Sequence, residues 1–238
     1  MKSRVRGFGL VEIMVALVLG LVISAGVVQV FIAARGTFAS QGSAARMQED
    51  ARFVLSKMVQ ELRMTGMYGC LGTDSYTLAP TAPEISRTTT VALNNPILWD
   101  STTSTLTLVT ADIGTTGTAP TWTILSNCQT ASQLFAGARA PAAGQTAFPL
   151  RQLFYTFANN TLSVRSQLNA TPQPLLQNVI NFQIRFGLAG SPMTYVDNVT
   201  AASAAEVRSV RIALTLRDPD GRVRDQDYSV VAYLRNRM

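Results

Sequence analysis

At 238 residues the chain is long enough for one domain of ordinary size plus an anchoring segment. It contains no histidine, which removes the commonest general base and the commonest metal ligand and leaves no Ser, Cys or Thr nucleophile with an imidazole to activate it. Of the net charge of +6, Lys2, Arg4 and Arg6 supply three, so the rest of the chain is only weakly basic at +3 and makes no strong case for nucleic acid.

The chain opens with the stretch Arg6-Gly7-Phe8-Gly9-Leu10-Val11-Glu12, followed at once by Ile13–Ala34, a run of 22 residues without a charge. A helix of that length rises about 33 Å, enough to cross the hydrocarbon core of a bilayer. The basic residues before it orient the span, positive side in the cytoplasm, so the chain after Ala34 is expected outside. Glu12 sits at the edge of this run. A carboxylate in a hydrocarbon span costs about 2.5–3.5 kcal/mol at the centre and less near an interface. A plain anchor has no use for that cost, so Glu12 calls for a partner.

These residues resemble the class III leader of type IV pilins and pseudopilins: a short basic leader, then Gly, Phe, a Glu fifth after the cut, and an apolar helix. The resemblance implies a leader of residues 1–7, cleavage between Gly7 and Phe8 by a prepilin peptidase, N-methylation of Phe8, and a role for Glu12 in subunit registration. An ordinary secretory signal is cut beyond its apolar region and loses it, whereas here the apolar helix is kept as filament core. The rival reading is a plain N-terminal anchor with a stray acid.

No proline occurs from Arg35 to Met64. Met47, Ala51, Val54, Leu55, Met58 and Leu62 recur at helical spacing as one apolar stripe, with Arg46, Glu49, Asp50, Arg52, Lys57, Glu61 and Arg63 expected on the other faces. Gly66 is a natural stop. One helix is therefore expected over Phe8–Thr65, about 87 Å long, with Gly20, Gly26, Gly36 and Gly42 as candidate bends. Its end, Glu61-Leu62-Arg63 followed by Gly66, Tyr68, Gly69 and Cys70, resembles the PilW family of minor pilins.

Cys70 and Cys128 are the two cysteines. In an exported domain they meet an oxidising compartment, where a disulfide or two separate buried thiols both fit. The bridge is preferred because both lie in loop-like sequence that a staple would help. Between Leu71 and Gln145, Thr, Ser, Ala, Pro and Gly dominate. Thr105–Val109 and Thr121–Leu125 read as strands, and the stretches 73–95 and 130–144 read as loops.

The last ninety residues alternate more clearly. Leu153–Phe157 and Thr161–Arg165 flank Asn159-Asn160, a hairpin signal. Ile180, Phe182, Ile184 and Phe186 alternate with polar residues, Arg211–Arg217 repeats the pattern, and after the turn Asp218–Gly221 the segment Tyr228–Leu234 returns as a strand. Here too the order of residues from Leu176 to Ile212 resembles the C-terminal part of PilW-type proteins. Asp218, Asp220, Asp225 and Asp227 could hold Ca²⁺ by spacing alone, but a solvated turn linked to Arg217, Arg222 and Arg224 fits better. No metal or calcium site is carried over from the family. Arg208, Arg211, Arg217, Arg222, Arg224, Arg235 and Arg237 could make a basic patch, with Arg211 and Arg217 on one solvent face, yet without the interleaved aromatics of a nucleic-acid surface.

The fold expected is α+β and type IV pilin-like: a long N-terminal helix, transmembrane then amphipathic, packed on a C-terminal antiparallel β-sheet domain. The divisions are 1–7 leader, 8–34 membrane and filament-core helix, 35–66 amphipathic half, and 67–238 exported β-rich domain. What the resemblance implies is a minor pilin that primes type IV pilus assembly and is incorporated at or near the filament tip. Its expected partners are other minor pilins, the major pilin, the prepilin peptidase, the inner-membrane assembly machinery and a tip adhesin, with no cofactor, no catalytic residue and no nucleic acid. Its expected place is the inner membrane as a single-pass protein with a periplasmic domain, then the pilus. A J-type pseudopilin of type II secretion shares the leader, helix and β domain. A tip module binding DNA or a surface is the alternative of another class, and an enzyme is the most distant.

Overall fold

In the computed structural model, residues 9–71, 76–78, 93–112, 114, 119–167, 169–200 and 203–234 are described. Gly7 and Phe8, and with them the expected cleavage and methylation site, lie outside them, as do Arg235, Arg237 and most of the expected loop 73–95.

The N-terminal part is one uninterrupted helix, α1 (Leu10–Arg63), of 54 residues and about 81 Å. None of the four glycines named as bends breaks the helix assignment. Its two halves differ by sequence alone. The apolar first half is long and apolar enough to cross a membrane and buries nothing against the domain. In the second half Met47, Ala51, Val54, Leu55, Met58 and Leu62 are all buried, so the stripe read from the spacing is the stripe that packs. The helix stops where Gly66 takes φ +76°, a conformation that favours glycine.

Among the described residues twelve strands follow: β1 (Tyr76–Leu78), β2 (Ile97–Asp100), β3 (Thr105–Ala111), β4 (Trp122–Ser126), β5 (Ser132–Ala136), β6 (Thr146–Ala158), β7 (Thr161–Arg165), β8 (Gln173–Leu176), β9 (Val179–Leu188), β10 (Thr194–Val196), β11 (Val207–Leu216) and β12 (Gln226–Tyr233). They form two sheets. The first runs β1-β5-β4-β6-β3-β2, with β7 paired to β6 and β8 to β7; the second runs β10-β9-β11-β12. All pairings are antiparallel except β1 with β5, which is parallel. The stretch 130–144, read as loop, contains β5, whose Leu134 is buried at the centre of a hairpin with β4. Its short alternation was masked by flanking Thr, Ala and Gly.

Strand β6, at 13 residues, organises the first sheet by pairing with β4, β3 and β7 along successive parts of its length. The β6–β7 turn is Asn159-Asn160, with φ of 49° and 57°, the left-handed pair that a two-residue hairpin with native twist requires. In the second sheet β9 buries Phe182, Ile184 and Phe186 while Asn181, Gln183 and Arg185 face solvent, as period-two alternation dictates.

The main core joins the helix stripe to both sheets: Leu106, Leu108 and Tyr155 of the first, Phe186, Ile212 and Leu214 of the second. A second core of Tyr68, Leu93, Val109, Trp122, Ile124, Leu134 and Leu150 lies under the chain that leaves the helix. The strands at 97–136 are thus structural members of the domain.

Candidate functional sites on the helix and at its end

The first candidate is the free half of α1. Gly9 caps the helix with an extended backbone, and its carbonyl accepts the backbone N–H groups of Glu12 (3.0 Å) and Ile13 (3.3 Å). Glu12 therefore occupies the first turn, where the positive end of the helix dipole favours a carboxylate. It borders a shallow groove with Ile13, Ala16, Leu17, Gly20 and Ser24. Beyond it Leu17, Leu21, Ile23, Val30 and Phe31 are each more than half exposed. An apolar surface of this extent is covered by lipid or by other chains, never by water alone. Past Arg35, whose guanidinium stands 5.7 Å over the Phe31 ring, the helix becomes polar; Thr37 and Ser40 donate to the carbonyls of Ala33 and Gly36.

The second candidate is the helix exit. Thr65 bridges to Thr110 of β3 and Gly66 donates its N–H to the Val109 carbonyl, so the chain is stitched to the first sheet as soon as the helix ends. Gly69 takes φ +122°, and a Cβ there would stand 3.0 Å from the Phe148 ring. Both conditions demand glycine. Cys70 is then joined to Cys128, 58 residues on. Cys128 sits at the tip of the β4–β5 hairpin. There Ser126 Oγ accepts the Cys128 N–H (3.0 Å) and Asn127 Oδ1 accepts those of Gln129, Thr130 and Ala131. The Gly-aromatic-Gly-Cys run at the helix end is a strap, with Tyr68 buried beneath it.

One residue is placed otherwise than its sequence context suggested. Glu61, assigned to the solvent faces, is 9% exposed. Its Oε1 accepts from Lys57 Nζ at 2.7 Å, and its Oε2 accepts a short hydrogen bond from the Tyr155 hydroxyl. Burial, then the Glu61 charge and hydrogen bond, push the Tyr155 phenol well above its ordinary range, so it remains a donor. The phase of the stripe holds the signal: Glu61 lies one turn from Met58 and beside Leu62, on the packed face. Nearby, Arg151 NH2 and Asp112 Oδ2 form a buried pair at 2.8 Å.

The aspartate turn is held by its own hydrogen bonds and ion pairs. Asp218, 4% exposed, accepts backbone N–H groups from Arg222 (2.7 Å), Val223 (3.2 Å) and Asp220 (3.4 Å). Partial burial pushes its carboxyl up, but these hydrogen bonds and the Arg222 charge outweigh it and hold the group below its ordinary value. Arg217 pairs with Asp225 and Arg222 with Asp220, both at the surface, while Arg224 enters through its backbone carbonyl. Among the described residues no group of acids and cysteines has metal-binding geometry. Arg211 stands beside Arg185 across the β9–β11 pair, and Arg185 is bound to Asp197 at 2.7 Å. Two cations of the basic patch, Arg217 and Arg222, thus already have acidic partners.

Two family models match the chain: the prokaryotic N-terminal methylation motif over residues 2–28 and the type IV pilus-assembly protein W over residues 150–235. No curated protein matches it in sequence. Among solved structures it is similar to a type IV-like pilin from Thermus thermophilus, at 12% identity and a TM-score of 0.41, over 81% of this chain and 99% of that one. The methylation motif covers Glu12 and the first turns of the exposed helix, and the second match begins in β6 and reaches past the end of β12. A prepilin N-terminal methylation motif and a match to the pilus-assembly protein W thus stand on one chain, joined by the same continuous helix, and together they support a PilW-like type IV minor pilin.

Proposed function

We propose that this minor pilin primes assembly of the type IV pilus and enters the filament at or near its tip, after a period in the inner membrane with residues 67–238 in the periplasm. The observation that carries this reading is the continuity of α1: one helix presents a fully exposed apolar half with an acid in its first turn, and buries its other half in the domain. In lipid the apolar half is solvated by acyl chains. In a filament the same surface, residues 8–34, packs against the equivalent helices of other minor pilins and the major pilin.

In this reading a prepilin peptidase cuts between Gly7 and Phe8 and the new amine of Phe8 is methylated. Glu12 pairs with the methylated amine of a neighbouring subunit, which offsets the cost of an acid in an apolar bundle and fixes the axial register. The match to the pilus-assembly protein W over the last third favours the pilus over a type II secretion pseudopilus. The family is one of structural proteins.

Two measurements test the reading. Intact mass of the membrane-extracted chain, with and without prepilin peptidase, is expected to show peptidase-dependent loss of residues 1–7 and gain of one methyl group. Glu12→Ala is expected to lower pilus number and recovery of the minor-pilin complex while the exterior domain folds as before. Unchanged pilus number and complex recovery in that variant remove the registration role.

A further inference from the structure

A cleft of about 430 Å³ lies at the seam of the two sheets, within the size range of small-molecule sites. Two strand edges form its walls. Among the described residues β2, the outer strand of the first sheet, pairs with β3 alone, and β10 pairs with β9 only over Phe186–Leu188. The stretch of β9 just before that pairing lines the gap, and Asp197 and Asn198, just past β10, border it.

The floor is aromatic. Trp99 of β2 is half-buried and packs on Phe182 of β9 with ring centroids 6.4 Å apart, and Phe182 packs in turn on Phe157 at 6.0 Å. The indole is thus held by the core and still lines the cleft. The rim is polar and electrically balanced. Arg185 donates through Nε to Asp197 Oδ1 at 2.7 Å, which leaves its terminal N–H donors and Asp197 Oδ2 for another group. Gln183 and Asn198 are exposed, and among the described residues neither carboxamide has a hydrogen-bond partner. Each carries both donors and an acceptor.

These groups define the occupant. Because Arg185 and Asp197 cancel in charge, the rim favours neither a cation nor an anion. A guanidinium donor beside a carboxylate acceptor matches two adjacent hydroxyls, one accepting and one donating, and a carboxamide serves a hydroxyl in both senses. The negative face of an indole attracts the weakly positive C–H bonds of a saturated ring. A molecule with hydroxyls around its edge and C–H bonds on its face is a sugar in its pyranose form. An extended peptide, the other neutral ligand that a strand edge takes, brings no paired hydroxyls to the ion pair.

We infer that this cleft is a glycan-binding site, in which a neutral pyranose stacks on Trp99 and is held at its edge by Gln183, Arg185, Asp197 and Asn198. The sugar chemistry does not rest on the pilin reading. For an exported domain such sugars have two sources, the N-acetylated glycan strands of a cell wall and hexose polymers outside the cell.

The experiment is fluorescence titration of the full chain, in a detergent without a sugar headgroup, with tri-N-acetylchitotriose and with maltotriose. The chain has two tryptophans, and Trp122 is 8% exposed in the second core, so a saturable change in emission reports Trp99. Saturation by the first sugar alone assigns a cell-wall glycan, by the second alone a hexose polymer, and by both a site that reads the ring without its N-acetyl group. Each of these results supports the proposal. Gln183→Ala and Asn198→Ala remove exposed groups that the fold does not use, and each is expected to raise the dissociation constant about three- to tenfold. Trp99→Ala, followed by saturation-transfer NMR on the sugar protons, is expected to weaken binding about tenfold or more. No saturable change with either sugar up to the limit of solubility overturns the proposal. Parental affinity in both carboxamide variants overturns it too, as does saturation by a capped Thr-Val-Thr-Val peptide and not by sugar.

Discussion

At the scale of single residues, charge placement in the exterior domain is settled by what each carboxylate can accept. Glu61 is held against the core because the Tyr155 hydroxyl and the Lys57 ammonium replace its water. Tyr155→Phe removes one of them and leaves a buried acceptor short. It should cost about 1–3 kcal/mol, read as a lower denaturation midpoint of the full chain in detergent. Asp218 is likewise buried, at a turn, where backbone N–H groups replace its water. Its folded-state carboxyl lies below its ordinary value of 3.8, so its stabilisation is complete above the unfolded-chain value and is lost as pH falls through the lower folded one. Melting temperatures between pH 7 and pH 2 should fall along an acid limb that is shallower in Asp218→Asn, with the variant less stable at neutral pH. Glu12 was legible in sequence because a lone acid at the start of an apolar span is conspicuous. Glu61 was not, because beside Lys57 it looks like an exposed i,i+4 pair, and its second partner lies 94 residues away in strand β6.

Among the elements, α1 was the most legible. Six apolar residues at helical spacing fix its packed face, and all six are buried. Met58 is fully buried at the middle of that stripe. Met58→Ala should therefore destabilise the helix–sheet packing by about 2–5 kcal/mol in chemical denaturation, and leave membrane retention through residues 13–34 untouched. Strands β6, β7, β9, β11 and β12 announced themselves by alternation and by the Asn-Asn turn, and β3 and β4 by short alternating runs; β1, β2, β5, β8 and β10 did not. β5 is five residues long with a single fully buried large side chain, and β1 is shorter still, so neither offers enough periods for a pattern to stand out from Thr- and Ala-rich surroundings. The split into two sheets was illegible for a different reason. Alternation reports which side chains point inward but says nothing of which strands share a ladder. That choice is made by β6, whose length lets one strand pair with three partners.

For the molecule as a whole, the cysteine pair decides how far the helix exit and the second core act as one body. Closing a 58-residue separation is worth about 4 kcal/mol by the chain-entropy estimate. Cys70→Ser with Cys128→Ser should lower stability by up to that amount and make the region from Met67 to Ala136 the first to exchange amide hydrogens, with α1 packing on β11 and β12 retained. Loss of protection spread evenly over both sheets instead would mean that the strap is no separate unit. The matches to known families fall at the two ends of the chain, residues 2–28 and 150–235. The strapped middle lies between them and is tied back by glycines, Tyr68 and the disulfide.

The continuity of α1 also has a mechanical side. It is the single covalent route from the apolar end of the chain to the domain, so a pull on a filament enters the domain along the helix axis. The stripe from Met47 to Leu62 runs parallel to that axis. The load is therefore shared by its side chains together, in shear, rather than peeling them away one at a time. Past Leu62 the chain turns a corner at Gly66, and the Cys70–Cys128 bond ties it across to the β4–β5 hairpin. Were the chain towed by its N-terminus, the intact Cys70–Cys128 bond would hold the helix exit to the second core, and reduction would let the same tow begin to unravel it there.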